Sequence, residues 1–92
     1  MEISVRIPTP LRRLTNGEDK VTLSSTTIKD MVDDLEDNFP GMKKRLCDDE
    51  GNLRNFVNVY VNGEDVRFLN GIDTTLQNGN EVSLVPAVAG GC

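Results

Sequence analysis

Hydrophobic positions along this 92-residue chain change their period several times, and each change marks an element. Ile3, Val5 and Ile7 alternate with Glu2, Ser4 and Arg6, the period-two pattern of a strand with one face buried. Pro8 and Pro10 end it, because proline offers no N–H to a ladder and restricts the residue before it. A loop is then expected from Pro8 to Asp19, with Asn16-Gly17 as its turn and Leu11 and Leu14 pinning it to the body. It is long for a hairpin connection, so Arg12, Arg13 or the turn could carry a function, although a plain surface loop is the preferred reading. Val21 and Leu23, on either side of Thr22, resume alternation as a second strand.

The period then becomes helical. Ile28, Met31, Val32, Leu35 and Phe39 fall on one stripe of a helix, and its burial contributes on the order of 8–15 kcal/mol before conformational entropy is subtracted. Thr26 or Thr27 can cap the N-terminus, and Thr27 with Asp30 approximates a capping box. Pro40-Gly41 stops the helix. Asp30, Asp33, Asp34 and Asp37 lie opposite the stripe, where like charges one turn apart repel by a few tenths of a kcal/mol per pair. A metal or a partner could offset that repulsion; a solvated face is the simpler reading.

Met42 to Leu46 suggests a further short helical turn, and Asp48 to Asn55 a polar loop. Val57, Val59 and Val61 alternate with Phe56, Asn58 and Tyr60, and Asn62-Gly63 supplies a tight hairpin turn. The return strand is expected to carry Val66 and Phe68 and to end at Asn70-Gly71. A helical turn over Thr74–Gln77, a reversal at Asn78-Gly79 and a last strand over Glu81–Pro86 complete the body. The order strand, strand, helix, strand, strand, strand describes an α+β two-layer domain spanning residues 1–86, with a tail at 87–92. One main helix covers one sheet face. The other, where either Phe56 and Tyr60 or the valines emerge, is left for a partner.

Composition narrows the chemistry. A net charge of -5 disfavours nucleic acid, and the single basic run, Lys43-Lys44-Arg45, is followed at once by Asp48-Asp49-Glu50. With no histidine, neither a Ser-His-Asp triad nor a Cys-His pair can be assembled within the chain. Two cysteines, Cys47 and Cys92, are too few for an all-thiolate zinc site. Asp48-Asp49-Glu50-Gly51 fails as a calcium loop, because counting back from the glycine puts Leu46 in the place of the first carboxylate. No bound metal or cofactor is expected, and no catalytic machinery. No apolar run has membrane-spanning length, and the N-terminus has no signal-peptide core, so a cytoplasmic location is expected.

The stretches NFVNVYVNGEDVRFLNG, Gly71-Ile72-Asp73-Thr74, Asn78-Gly79-Asn80-Glu81-Val82 and Val85-Pro86-Ala87-Val88-Ala89-Gly90-Gly91 carry a specific resemblance. With IPTPLR near the start and a helix ending in NFPG, the whole chain resembles the ubiquitin-like sulfur carriers of the MoaD/ThiS family, in particular their CysO-type branch. The resemblance implies a β-grasp fold, with one mixed sheet on one main helix. It implies that a ubiquitin-activating-type adenylyltransferase uses ATP to adenylate the carboxylate of Gly91, and that sulfur then replaces AMP to give a thiocarboxylate. In cysteine biosynthesis the acceptor is an aminoacrylate on a cysteine-synthase-like pyridoxal-phosphate enzyme. An S-to-N shift gives a Gly–Cys amide, which a JAMM-type zinc metalloprotease opens.

Tail chemistry agrees with that role. Gly90 and Gly91 lack Cβ and admit close approach to the reacting carbonyl, Ala87 and Ala89 keep the segment slim, and Val88 offers one apolar anchor. Cys92 departs from the pattern, since a ready carrier ends in Gly-Gly. It is either an encoded extension to be trimmed or the cysteine adduct itself. In both cases Gly91–Cys92 is the scissile bond. Other readings are a molybdopterin synthase small subunit, a thiamine or secondary-metabolite carrier, a ubiquitin-like protein modifier and a plain binding module. Cys47 reads as a small core hydrophobe.

Overall fold

A computed structural model describes residues 2–55 and 57–86. Five strands, β1 (Ile3–Arg6), β2 (Lys20–Leu23), β3 (Val57–Val61), β4 (Glu64–Asp65) and β5 (Glu81–Pro86), form one sheet in the order β2-β1-β5-β3-β4. The central pair β1–β5 is parallel and the other pairs are antiparallel. Helix α1 (Ile28–Asn38) and the short α2 (Met42–Leu46) pack with it. This is the mixed-sheet α+β architecture expected from the sequence.

The core forms where the periodicity puts it. Ile3 and Val5 of β1, Val57 and Val59 of β3, and Val82 and Leu84 of β5 are buried with Ile28, Met31, Val32 and Leu35 of α1. Phe39, at the end of the stripe, is only partly buried against this cluster, while Met42 and Leu46 of α2 join it fully. The Thr27 hydroxyl accepts the Asp30 N–H at 3.1 Å, so Thr27 is the cap. The reciprocal bond is shifted by one residue: the Asp30 carboxylate accepts from the N–H of Thr26, not of Thr27. Past α1, the Glu36 carboxylate accepts the N–H groups of Gly41 (3.1 Å) and Lys43 (2.9 Å), joining the two helices through Gly41 at φ +102°.

Three local expectations are corrected. The Pro8–Asp19 connection is not plain loop but holds a 3-10 turn over Thr9–Thr15. Leu11 is buried and Leu14 partly so, as expected, while Thr15 is fully buried with its hydroxyl 2.7 Å from the Glu18 carbonyl and 3.2 Å from that of Arg12. The return strand of the hairpin ends at Asp65. Val66–Phe68 is a 3-10 turn, because the Asp65 carboxylate accepts the Arg67 N–H at 2.8 Å and curls the chain out of the ladder. The helical turn expected at Thr74–Gln77 lies earlier, at Gly71–Asp73, and Thr75 instead bridges Thr27.

The hairpin turn itself forms as expected. Asn62 (φ 51°) and Gly63 (φ 89°) are both left-handed, the requirement of a type I′ turn.

Candidate functional site

The residue expected to react, Gly91, and the expected recognition and cleavage residues Ala87, Val88, Ala89, Gly90 and Cys92 follow β5 in the sequence. All six lie outside the described residues, as does Phe56. The strand from which they continue is well defined. β5 lies between β1 and β3, and its ladder with β3 runs from Val61↔Val82 to Asn58↔Val85 and Val57↔Pro86. The Asn62 N–H donates to the Glu81 carbonyl at 2.8 Å, which fixes the alternation of this antiparallel ladder. By that alternation Asn58↔Val85 is hydrogen-bonded and Val57↔Pro86 is not. Pro86 therefore turns its donor-less nitrogen toward β1, whose pairing has already ended at Arg6↔Ser83. A proline sits there without breaking a rung, and it fixes φ at the first step into the tail.

Around this root lies the sheet face that the helices leave open. Ser4 and Arg6, Lys20 and Thr22, Asn58 and Tyr60, and Glu81, Ser83 and Val85 alternate with the buried positions of their strands. The valines Val57 and Val59 turn inward and Tyr60 outward, which resolves one half of the alternative left by periodicity. The face is mainly polar, with an exposed Arg6–Glu81 pair 3.9 Å apart. Val85 is its apolar exception at 42% exposure, and off its β4 side Phe68 stands 85% exposed.

Other sequence candidates have structural duties. Arg12 Nε donates to the Ile7 carbonyl at 3.1 Å and ties the 3-10 turn to the end of β1. On the acidic side of α1, Asp30 serves the cap, Asp34 accepts the Ser25 hydroxyl at 2.6 Å, and Asp33 pairs with Lys43 at 3.0 Å. That pairing, first through its hydrogen bond, raises the Lys43 pKa. Among the described residues no three His, Cys, Asp or Glu side chains group to hold a metal. Cys47 is buried, and burial pushes its thiol pKa up despite the nearby Lys43, so it is a core residue with a suppressed thiolate. No helix of the described residues is long and apolar enough to cross a membrane.

Sequence reasoning did not single out Arg67. Its guanidinium reaches Asn58 and the carbonyls of Arg54 and Val57, beside the last rungs of β5. The only local signal was Asp65 two residues earlier, positioned to bend the chain.

Comparison with known proteins bears on the whole of this arrangement. The family described as the ThiS family is matched over residues 5–91. The chain is 46% identical over 93 residues to the sulfur carrier protein CysO of Mycobacterium tuberculosis, covering 99% of this chain and 100% of that one. In structure it resembles a chain of the Amycolatopsis orientalis BexX/CysO complex, with a TM-score of 0.91 and 44% identity over 97% of this chain and 99% of the other. It is also similar to the crystal structure of Mycobacterium tuberculosis CysO, with a TM-score of 0.89 and 44% identity over 94% and 99% of the two chains.

Proposed function

The chain belongs to the ThiS family with a ubiquitin-like β-grasp fold, and from that membership we propose that it is a sulfur carrier, a protein co-substrate whose reacting group is the carboxylate of Gly91. A ubiquitin-activating-type adenylyltransferase joins that carboxylate to AMP from ATP, releasing pyrophosphate. A sulfur nucleophile then displaces AMP and leaves the thiocarboxylate. The CysO-like sequence favours delivery to cysteine biosynthesis, through a cysteine-synthase-like pyridoxal-phosphate enzyme and a JAMM-type zinc metalloprotease. The body contributes no catalytic group. It docks by the open sheet face and presents the chain beyond Pro86 to each partner's active site.

One observation carries this reading: Val-Pro-Ala-Val-Ala-Gly-Gly continues directly from the central strand of a body that superposes on CysO structures over nearly its full length. Extending or replacing the terminal glycine then has a defined cost. Cys92 moves the carboxylate one residue outward and places a side chain where glycine is needed, so its removal precedes activation. The bond cut is Gly91–Cys92.

The test is ATP–pyrophosphate exchange with the activating enzyme purified from the native cells. A chain ending at Gly91 is expected to support exchange and, with sulfide, to gain a sulfur in place of one carboxyl oxygen; the chain retaining Cys92 is expected to do neither. Exchange by neither form would overturn the reading.

A further inference from the structure

The edge of β3 that faces away from β5 is covered by two different devices. Next to the turn, β4 pairs Glu64 with Val61 and Asp65 with Tyr60. Below Tyr60 the strand stops, and the 3-10 turn carries Arg67 back toward the start of β3. Arg67 Nη1 donates to Asn58 Oδ1 at 2.6 Å. Its Nη2 donates to the carbonyls of Arg54 and Val57, each at 2.8 Å, with that of Asn55 farther off at 3.4 Å. The Val57 carbonyl points away from β5, so it is a group that a longer β4 would have engaged. A planar guanidinium with several fixed donors takes the place of the missing strand.

Val57 and Asn58 are also the partners of Pro86 and Val85. The Val57↔Pro86 pair has no hydrogen bond of its own, so the last bonded rung before Pro86 is Asn58↔Val85, and its β3 side is set by what holds Asn58 and the neighbouring Val57 from the far edge. Besides the Arg54 carbonyl, which accepts the Val57 N–H at 3.0 Å, that holder is Arg67, and the Arg54 carbonyl is itself bound by Arg67. One side chain thus ties together the segment against which β5 ends.

We propose that Arg67 is a positioning residue for chemistry at Gly91: by clamping Arg54, Val57 and Asn58 it fixes where Val85 and Pro86, at the end of β5, sit relative to the docking face. The inference rests on the carrier reading above. Docking of the body belongs to the sheet face and governs KM. Delivery of the terminus depends on where its root points and governs kcat, for which a misplacement of about 1 Å can cost on the order of a hundredfold. A lysine keeps the charge but has no fork and reaches fewer of these acceptors.

The experiment compares Arg67→Ala and Arg67→Lys with the unsubstituted chain, each ending at Gly91, as substrates in ATP–pyrophosphate exchange, alongside amide hydrogen exchange. In Arg67→Ala the amides of Asn58 and Val85 are expected to lose protection while those of Val5 and Val21 keep it. With KM unchanged, kcat is expected to fall on the order of ten- to a hundredfold, with Arg67→Lys in between. An unchanged kcat overturns the proposal. So does a rise in KM alone, which would make Arg67 a direct partner contact, and so does an even loss of protection across all strands, which would make it a general stabiliser. Silence of the unsubstituted chain overturns the carrier reading and this proposal together, and is told apart because the reference itself fails.

Discussion

The two flanks of the sheet are held by different means. On the β2 flank the ladder is continuous, from Ile3↔Leu23 to Arg6↔Lys20, and its connection is folded into the core through Leu11 and Thr15. On the β4 flank the ladder stops after two pairs, Phe68 stands in solvent, and an arginine side chain completes the edge. Both flanks share α1 and the central strands. The difference separates what holds the body together from what holds the root of the tail. The first is core burial and backbone pairing; the second is the Asn58↔Val85 rung braced from the far edge by the bonds of Arg67, which on our proposal can be altered without dissolving the first.

Leu35→Ala should erase the distinction, because Leu35 is fully buried in the one core cluster that both flanks share. A loss of about 2–5 kcal/mol is expected in urea unfolding, with every strand's amides affected together. Protection lost on one flank alone would show that the core is not shared. Thr15→Val should sharpen the distinction. It keeps the shape but removes the hydroxyl that donates to the Glu18 carbonyl, at about 1–2 kcal/mol. Amide exchange should quicken around Asp19 and β2 and stay unchanged at Asn58 and Val85.

Thr27→Ala comes next, at about 1 kcal/mol for a lost helix cap, read as a lower thermal midpoint with no bias toward either flank. The smallest effect concerns pH. Burial raises the Cys47 pKa in the folded state, so its contribution to stability is complete below the unfolded thiol's pKa and is lost as pH rises through the folded value. Urea midpoints taken from neutral to alkaline pH should therefore fall more steeply for the unsubstituted chain than for Cys47→Ala, whose overall stability is lower but which lacks this titration. Parallel slopes would mean that the thiol ionises as freely folded as unfolded.

Legibility in the sequence followed the range of the interactions. β1, α1 and β3 could be read because alternation or a helical stripe is repeated over several residues and burial follows it directly. Asn62-Gly63 could be read because its left-handed backbone is a property of those two residues. Val66 and Phe68 kept the strand period but not the strand, since a bond from Arg67 N–H to Asp65 was nearer than any ladder partner. Thr15 gave no sign of burial, because what satisfies its hydroxyl is backbone, which no residue type advertises. The residues proposed to carry the chemistry were the most visible of all: Gly90-Gly91 is a feature of sequence, and these residues lie outside the described structure. Arg67 was the least visible, with partners 9 to 13 residues away in the chain.

The central claim concerns the state of the C-terminus in the cell, and the intact mass of the protein from its native source addresses it directly. The account expects a species lacking Cys92 in which one carboxyl oxygen of Gly91 is replaced by sulfur. Cys92 retained throughout, with no sulfur-bearing form, would contradict it and leave a β-grasp binding module with an inert tail.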